Sequence, residues 1–195
     1  MNARLIPLRP AGAPTAAPRS DEALMRACAG GEQAALGELY DRHHTVVRRF
    51  AARLTGSSDV EDLVQSTFLE VWRSAPRFQA RAQVRTWLLG IANNLVRRQR
   101  RDQVRRRAAI NVLMDNTATP LSPEGTWQDR LLMERVQSAL QSLTPDQRAA
   151  FILCELEELK GVEAAEVLGI RPGTLWRRLF DARRALRDAL EGVRE

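Results

Sequence analysis

From Asp21 onward, apolar side chains recur three and four residues apart, and the period-two alternation of a strand is absent. That spacing limits the chain to an all-α fold. Segment by segment it predicts a short helix over 21–29, broken at Gly30-Gly31, and a longer one over 32–55. In the latter, Leu36, Leu39, Tyr40, Val46, Val47, Phe50 and Leu54 are core candidates, and Gly56 ends the helix. Ser58-Asp-Val-Glu61 fits a capping box opening a helix that lasts until Pro76. After a loop over 76–83, another helix is expected from Val84 to Arg107. The pattern then lapses over 108–130, a polar, turn-rich stretch containing Asp115-Asn-Thr-Ala-Thr-Pro120 and Ser122-Pro-Glu-Gly125. Helical spacing resumes near Asp129, and Thr144-Pro-Asp-Gln147 carries an N-cap, a first-turn proline and a box-closing glutamine. The expectation is two small all-helical domains, 21–107 and 131–195, joined by a flexible linker over 108–130. Residues 1–20, with four Pro, three Arg and no acid, read as a disordered arm.

Composition narrows the function. No stretch resembles a membrane span, the start lacks an apolar signal core, and a cytoplasmic setting is expected. Cys28 and Cys154 are too few for a disulfide framework or a four-cysteine zinc site. Cys28 is a candidate exposed, redox-reactive thiol, whereas Cys154 reads as a small buried hydrophobe. Adjacent His43 and His44 lie about 100° apart on a helix and cannot share a ligand. With no HExxH, Gly-rich phosphate loop or serine elbow, no enzyme, metal or cofactor is expected.

The net charge of +6 matters less than its distribution. Residues 58–107 carry eleven Arg against five acids, while 21–57 balance at five against five. Residues 155–166 hold five Glu and one Lys, followed over 171–187 by six Arg and one Asp. Such separated fields suit a polyanion.

Three constellations stand out. On the helix after Ser58, Val60, Leu63, Val64 and Val71 form a core stripe, while Gln65, Phe68, Leu69 and Trp72 cluster on a neighbouring face. A helix this apolar either is wrapped by its own domain on both sides or docks on a partner. On the Val84–Arg107 helix, Val84, Trp87, Leu88, Ile91 and Leu95 suit the core. Asn94, Arg97, Arg98, Arg101 and Arg105 form a ladder suited to phosphates and one base edge. The loop from Arg77 to Gln83 adds Phe78 and amides, which splayed single-stranded bases need. Third, Glu163–Ile170 and the helix from Pro172 form a helix-turn-helix around Gly169. Its second helix buries Leu175, Leu179, Ala182, Leu186 and Leu190 and leaves Arg171, Thr174, Arg177, Arg178 and Arg184 for a major groove. The Glu155, Glu157 and Glu158 cluster would repel phosphate, so it faces away from DNA or toward a protein.

In this order the three constellations resemble a bacterial extracytoplasmic-function (ECF) RNA polymerase sigma factor, over roughly residues 22–190. Asp62-Leu-Val-Gln65, Phe68, Leu69 and Val71-Trp72 are similar to the region-two helix. The resemblance implies that Asp62, Gln65, Phe68, Leu69 and Trp72 dock on the β′ clamp helices of core RNA polymerase. Arg85-Thr-Trp-Leu-Leu-Gly-Ile-Ala-Asn-Asn94 is similar to the segment that melts and reads the −10 element, implying roles there for Phe78, Gln83, Arg85, Asn94, Arg97, Arg98 and Arg101. Leu143-Thr-Pro-Asp-Gln-Arg148 and Gly169-Ile-Arg-Pro-Gly-Thr-Leu175 resemble region four, which contacts the β flap and reads the −35 duplex. The implied reading set is Arg171, Thr174, Trp176, Arg177, Arg178, Phe180, Asp181 and Arg184. Lys160 and Arg171 stand where the family has small hydroxyl residues, and Arg177, Trp176 and Asp181 are unusual on the reading helix. The resemblance also implies an anti-sigma factor as partner, without direct membrane insertion; a membrane-bound one would hold the chain at the inner membrane. The alternative is a stand-alone helix-turn-helix regulator of duplex DNA, and a further rival is an RNA-binding regulator using the 97–107 arginines.

Overall fold

Turn chemistry sets where each helix starts and stops. The structure, a computed structural model, describes residues 19–57, 60–110 and 127–191, and these residues contain helices but no strand. The chain runs through α1 (Asp21–Ala29), α2 (Gln33–Thr55), α3 (Glu61–Ser74), α4 (Val84–Ile110), α5 (Trp127–Ser142), α6 (Pro145–Phe151), α7 (Gly161–Leu168) and α8 (Pro172–Glu191). A 3-10 turn over Ala75–Arg77 follows α3, and a π turn over Ile152–Leu156 extends α6. The expected arm, apart from Arg19 and Ser20, lies outside the described residues. So do Ser58 and Asp59 of the expected capping box, most of the 108–130 stretch, and residues 192–195. Within that stretch α4 continues to Ile110 and α5 already begins at Trp127.

Ser20 Oγ accepts the Ala23 N–H and starts α1. Arg19 holds this corner by ion pairs to Glu32 and Glu38 across the α1–α2 turn. Gly56 ends α2 with φ +83, a left-handed conformation in which a side chain is strained. Thr144 forms the expected box in full: its Oγ1 accepts the Gln147 N–H, and Gln147 Oε1 accepts the Thr144 N–H at 3.0 Å. At α7 only half a box exists, since the Lys160 ammonium cannot accept; Glu163 Oε2 takes the Lys160 N–H at 3.1 Å.

Helices α1 to α4 form the first domain, with Leu24, Met25, Leu39, Phe50, Leu88 and Leu89 fully buried. Helices α5 to α8 form the second, where Leu140, Ile152, Leu153, Leu175 and Leu179 are buried. The two then pack together, α7 against α4 and α6 against α2. On α3 the expected stripe of Val60, Leu63, Val64 and Val71 is buried. On α4, Val84 and Leu88 are buried as expected, while Trp87, Ile91 and Leu95 are half-buried. Leu89, Ala92, Asn93 and Val96 are buried too. Asn93 and Val96 share a small cavity with Ala149 and Leu168, so their cover comes from the other domain.

Two sequence expectations need correcting. Phe68 is 4% exposed, its ring tilted onto Tyr40 with centroids 4.9 Å apart, because α2 wraps that flank of α3. It is core and not part of an open face. Cys28 is 3% exposed, and burial pushes its thiol up, with Glu32 adding to the shift. A buried thiol that holds its proton is not the reactive group anticipated.

Candidate nucleic-acid interface

Two cationic surfaces and one open apolar edge make up the candidate site. On α4 the ladder of Asn94, Arg97, Arg98, Arg101 and Arg105 is solvent-exposed throughout. Nothing acidic on α4 itself interrupts it except half-buried Asp102. Beside its first turns, the loop from Arg77 to Ala82 closes a cavity of about 300 Å³. Phe78, Thr86, Trp87, Ile91 and Asn94 line it, with the Phe78 and Trp87 rings tilted at 5.1 Å. Two aromatic rings, one amide and flanking Arg77 and Arg81 suit a planar base on a phosphate backbone. Ala80 sits in this loop at φ +53, a strained backbone for a residue with a β-carbon. Gln83 is exposed just before α4, outside the cavity lining.

The second cationic surface is α8. Arg171, Thr174, Arg177 and Arg184 are exposed, as are Trp176 at 53% and Phe180 at 65%, while Asp181 is half-buried. Arg178 differs from the expected free cation: it pairs with Asp146 of α6 and lines the small interdomain cavity. Trp176 lies over the start of α7, where a β-carbon on Gly161 would come within 2.5 Å of its ring. The open edge is on α3, where Asp62, Gln65 and Leu69 are exposed and Trp72 is half-buried. Leu69 is 54% exposed directly beside core residue Phe68, so α3 turns its apolar character outward there.

Several polar contacts join the domains. Glu157, 3% exposed, accepts from Arg53 at 3.1 Å and from Arg85, and its backbone carbonyl accepts from Arg85 at 3.1 Å. The sequence left this acidic cluster either facing away from DNA or meeting protein; Glu157 meets the chain's own first domain, while Glu155 pairs with Arg183 and Glu158 is exposed. Arg148 was not singled out in the sequence. It is buried and donates to the carbonyls of Leu140, Gln141 and Leu143 at the end of α5, and to Leu54 at the end of α2 at 3.0 Å. Burial lowers its pKa to about 10, with Arg100 adding, so it stays charged at neutral pH. Lone arginines without a motif give no sequence signal, although Arg148 follows the Thr144 cap at the spacing that aims it back at α5.

The histidines carry no site. His43 donates to Asp21 at 2.6 Å, and His44 stacks on Tyr40. Among the described residues no group of three metal-capable side chains converges, and no helix is long and apolar enough to cross a membrane.

Comparison with known proteins decides between the readings. Residues 39–106 match Sigma-70 region 2, and residues 133–186 match Sigma-70 region 4. The chain is 35% identical over 161 residues to the RNA polymerase sigma factor CarQ of Myxococcus xanthus, covering 82% of this chain and 91% of that one. The chain belongs to the ECF sigma factors. It is also 38% identical over 172 residues to the ECF sigma factor SigE of Mycolicibacterium smegmatis, covering 83% of this chain and 65% of that one. Among solved structures, the sigma factor RpoE in complex with the anti-sigma factor NepR from Bartonella quintana superposes with TM-score 0.69 at 27% identity, over 80% of this chain and 96% of that one. CnrH in complex with the cytosolic domain of CnrY gives 0.67 at 29%, over 89% and 99%. In this sigma factor α3, the 77–83 loop and α4 up to Arg106 fall within the region 2 match, and the later part of α5 through α8 up to Leu186 within region 4. The stand-alone regulator would account for the latter segment only.

Proposed function

We propose that this sigma factor binds core RNA polymerase through the open edge of α3, traps unpaired −10 bases on α4 and its preceding loop, and reads the −35 duplex with α8. The observation that carries the reading is the coexistence of two separate basic faces with an exposed apolar edge on one chain; a duplex-only regulator needs neither the α3 edge nor an aromatic cavity. Asp62, Gln65, Leu69 and Trp72 form the β′ clamp contact, with Phe68 supporting them from the core. Phe78 and Asn94 receive a flipped base, Gln83 flanks the loop, and Arg85, Arg97, Arg98 and Arg101 hold the strand backbone. Arg171, Thr174, Arg177 and Arg184 take phosphates and base edges in the major groove, Trp176 and Phe180 supply apolar contact, and Arg178 joins once released from Asp146. Asp181 can accept from a cytosine amino group. Stacking contributes on the order of 1–3 kcal/mol per captured base, which favours the open template without catalysis by the chain itself.

Partners on this reading are core polymerase, including its β flap, promoter DNA and an anti-sigma factor, the last supported by the two solved relatives bound to one. The setting is the cytoplasm. Leu69→Arg tests the docking edge, because the residue is exposed and its loss does not touch the core. Co-elution with core enzyme should weaken by at least about tenfold at unchanged melting temperature. Wild-type binding by that variant would remove α3 as the docking surface.

A further inference from the structure

The groove between α4 and the start of α6 gathers positive charge that its own walls do not neutralise. Arg97, Arg100, Arg101 and Arg105 line it, around a space of about 590 Å³, at the three- and four-residue spacing that puts them on one side of α4. Among the described residues no carboxylate forms an ion pair with any of the four. Asp146 in the opposite wall is already paired with Arg178. Arg98, one residue out of step, is exposed but does not line the groove. Arg97 is held at the rim by its bond to the Leu168 carbonyl at 3.2 Å. Buried Arg148 donates to four backbone carbonyls, and Arg100 is close enough to oppose its charge. Like charges gathered this way repel one another, and a bound polyanion relieves the repulsion.

A second observation lies at the inner end. The groove shares Arg97, Arg100, Pro145 and Asp146 with a crevice of about 20 Å³ that Asn93 also lines. Asn93 is 1% exposed, and its Nδ2 is a buried donor without a hydrogen-bond partner. Such a donor costs stability until an acceptor reaches it. The crevice admits one oxygen-sized atom, since a single water needs roughly 10–15 Å³ of such space. A terminal phosphoryl group has three free oxygens, so it can send one into a dead end while the others meet arginines. A phosphodiester, substituted on both sides, suits that geometry less well. Val104, 66% exposed, and Pro145 give the outer part an apolar wall.

We infer that this groove binds a small polyphosphate, free or carried by a nucleotide, with a terminal oxygen on Asn93 and the remaining charge on Arg97, Arg100, Arg101 and Arg105. Arg97 and Arg101 also belong to the proposed strand contact, so an occupied groove withholds two cations from unpaired DNA. That consequence rests on the strand assignment; the site itself does not.

Calorimetric titration of the full chain with sodium tripolyphosphate at about 150 mM salt should show one saturable site, at least about tenfold tighter than for sulfate. Arg100→Gln, at an exposed position outside the proposed DNA-binding set, should lose that binding by about tenfold or more, with Arg98→Gln close to wild type. Tripolyphosphate no tighter than sulfate, or equal losses in the two variants, would overturn the site. Adenosine triphosphate without magnesium separates the two sources. Tighter binding than tripolyphosphate assigns the apolar wall to a nucleoside, and equal or weaker binding assigns the groove to the free anion. In heteronuclear NMR the Asn93 side-chain amide should shift at saturation; an unmoved signal would overturn the role given to the crevice. Tripolyphosphate should also displace a labelled single strand, and a strand that stays bound at saturation would overturn the competition. A chain that binds the anion but captures no strand would remove the strand assignment and leave the site standing.

Discussion

Arg148 shows how one side chain can hold two helices at once. Its guanidinium satisfies three carbonyls at the end of α5 and one at the end of α2. Replacing it with Met fills the space but strands those acceptors, so Arg148→Met should cost on the order of 3 kcal/mol in urea denaturation. A loss below about 1 kcal/mol would mean water replaces it freely. At the other end of the first domain, burial pushes the Asp21 carboxyl up, but hydrogen bonds from Arg42 and His43 outweigh it and hold the pKa below its ordinary value of 3.8. A lowered folded value means the stabilisation is complete above the unfolded value and lost as pH falls through the folded one. Wild type should therefore lose stability relative to Asp21→Asn as pH drops below about 4, and parallel profiles would contradict the pairing. Residue identity was readable where chemistry is local: Thr144 with Gln147 announced its own cap. It was not readable for Glu157, whose partners are far away in sequence, nor for Phe68. Periodicity put Phe68 and Leu69 on one side of α3, and only the position of Tyr40 separates buried from exposed.

At the scale of elements, helices were legible because apolar spacing and turn residues agree. The extra buried side of α4 was not, because a neighbouring domain covers it and no pattern within α4 encodes that. Nor was the π turn over Ile152–Leu156, which widens the end of α6 just before Glu157. Two predictions belong here. Thr144→Ala removes the acceptor for the Gln147 N–H and should destabilise the second domain by about 1 kcal/mol in thermal unfolding; an unchanged midpoint would mean Pro145 alone sets the helix start. On α8, Arg184 is exposed whereas Arg178 is tied to Asp146. Arg184→Ala should reduce the salt slope of upstream duplex binding by about one unit, and an unaltered slope would take Arg184 out of the interface.

For the molecule as a whole, two helical units and their separate charge fields were visible in the chain, whereas the Glu155–Glu158 cluster was left either facing away from DNA or meeting protein. That Glu157 meets the chain's own first domain required three-dimensional structure. The seam between the two units is polar, built from one carboxylate, two amides and a buried guanidinium. The most direct measurement is transcription from a fragmented bacterial genome by core polymerase with the purified chain added, with transcript 5′ ends mapped. New starts should appear that core enzyme alone does not make, preceded by a shared pair of elements near −35 and −10. Starts identical to those of core enzyme alone would contradict the assignment of this chain as an initiation factor.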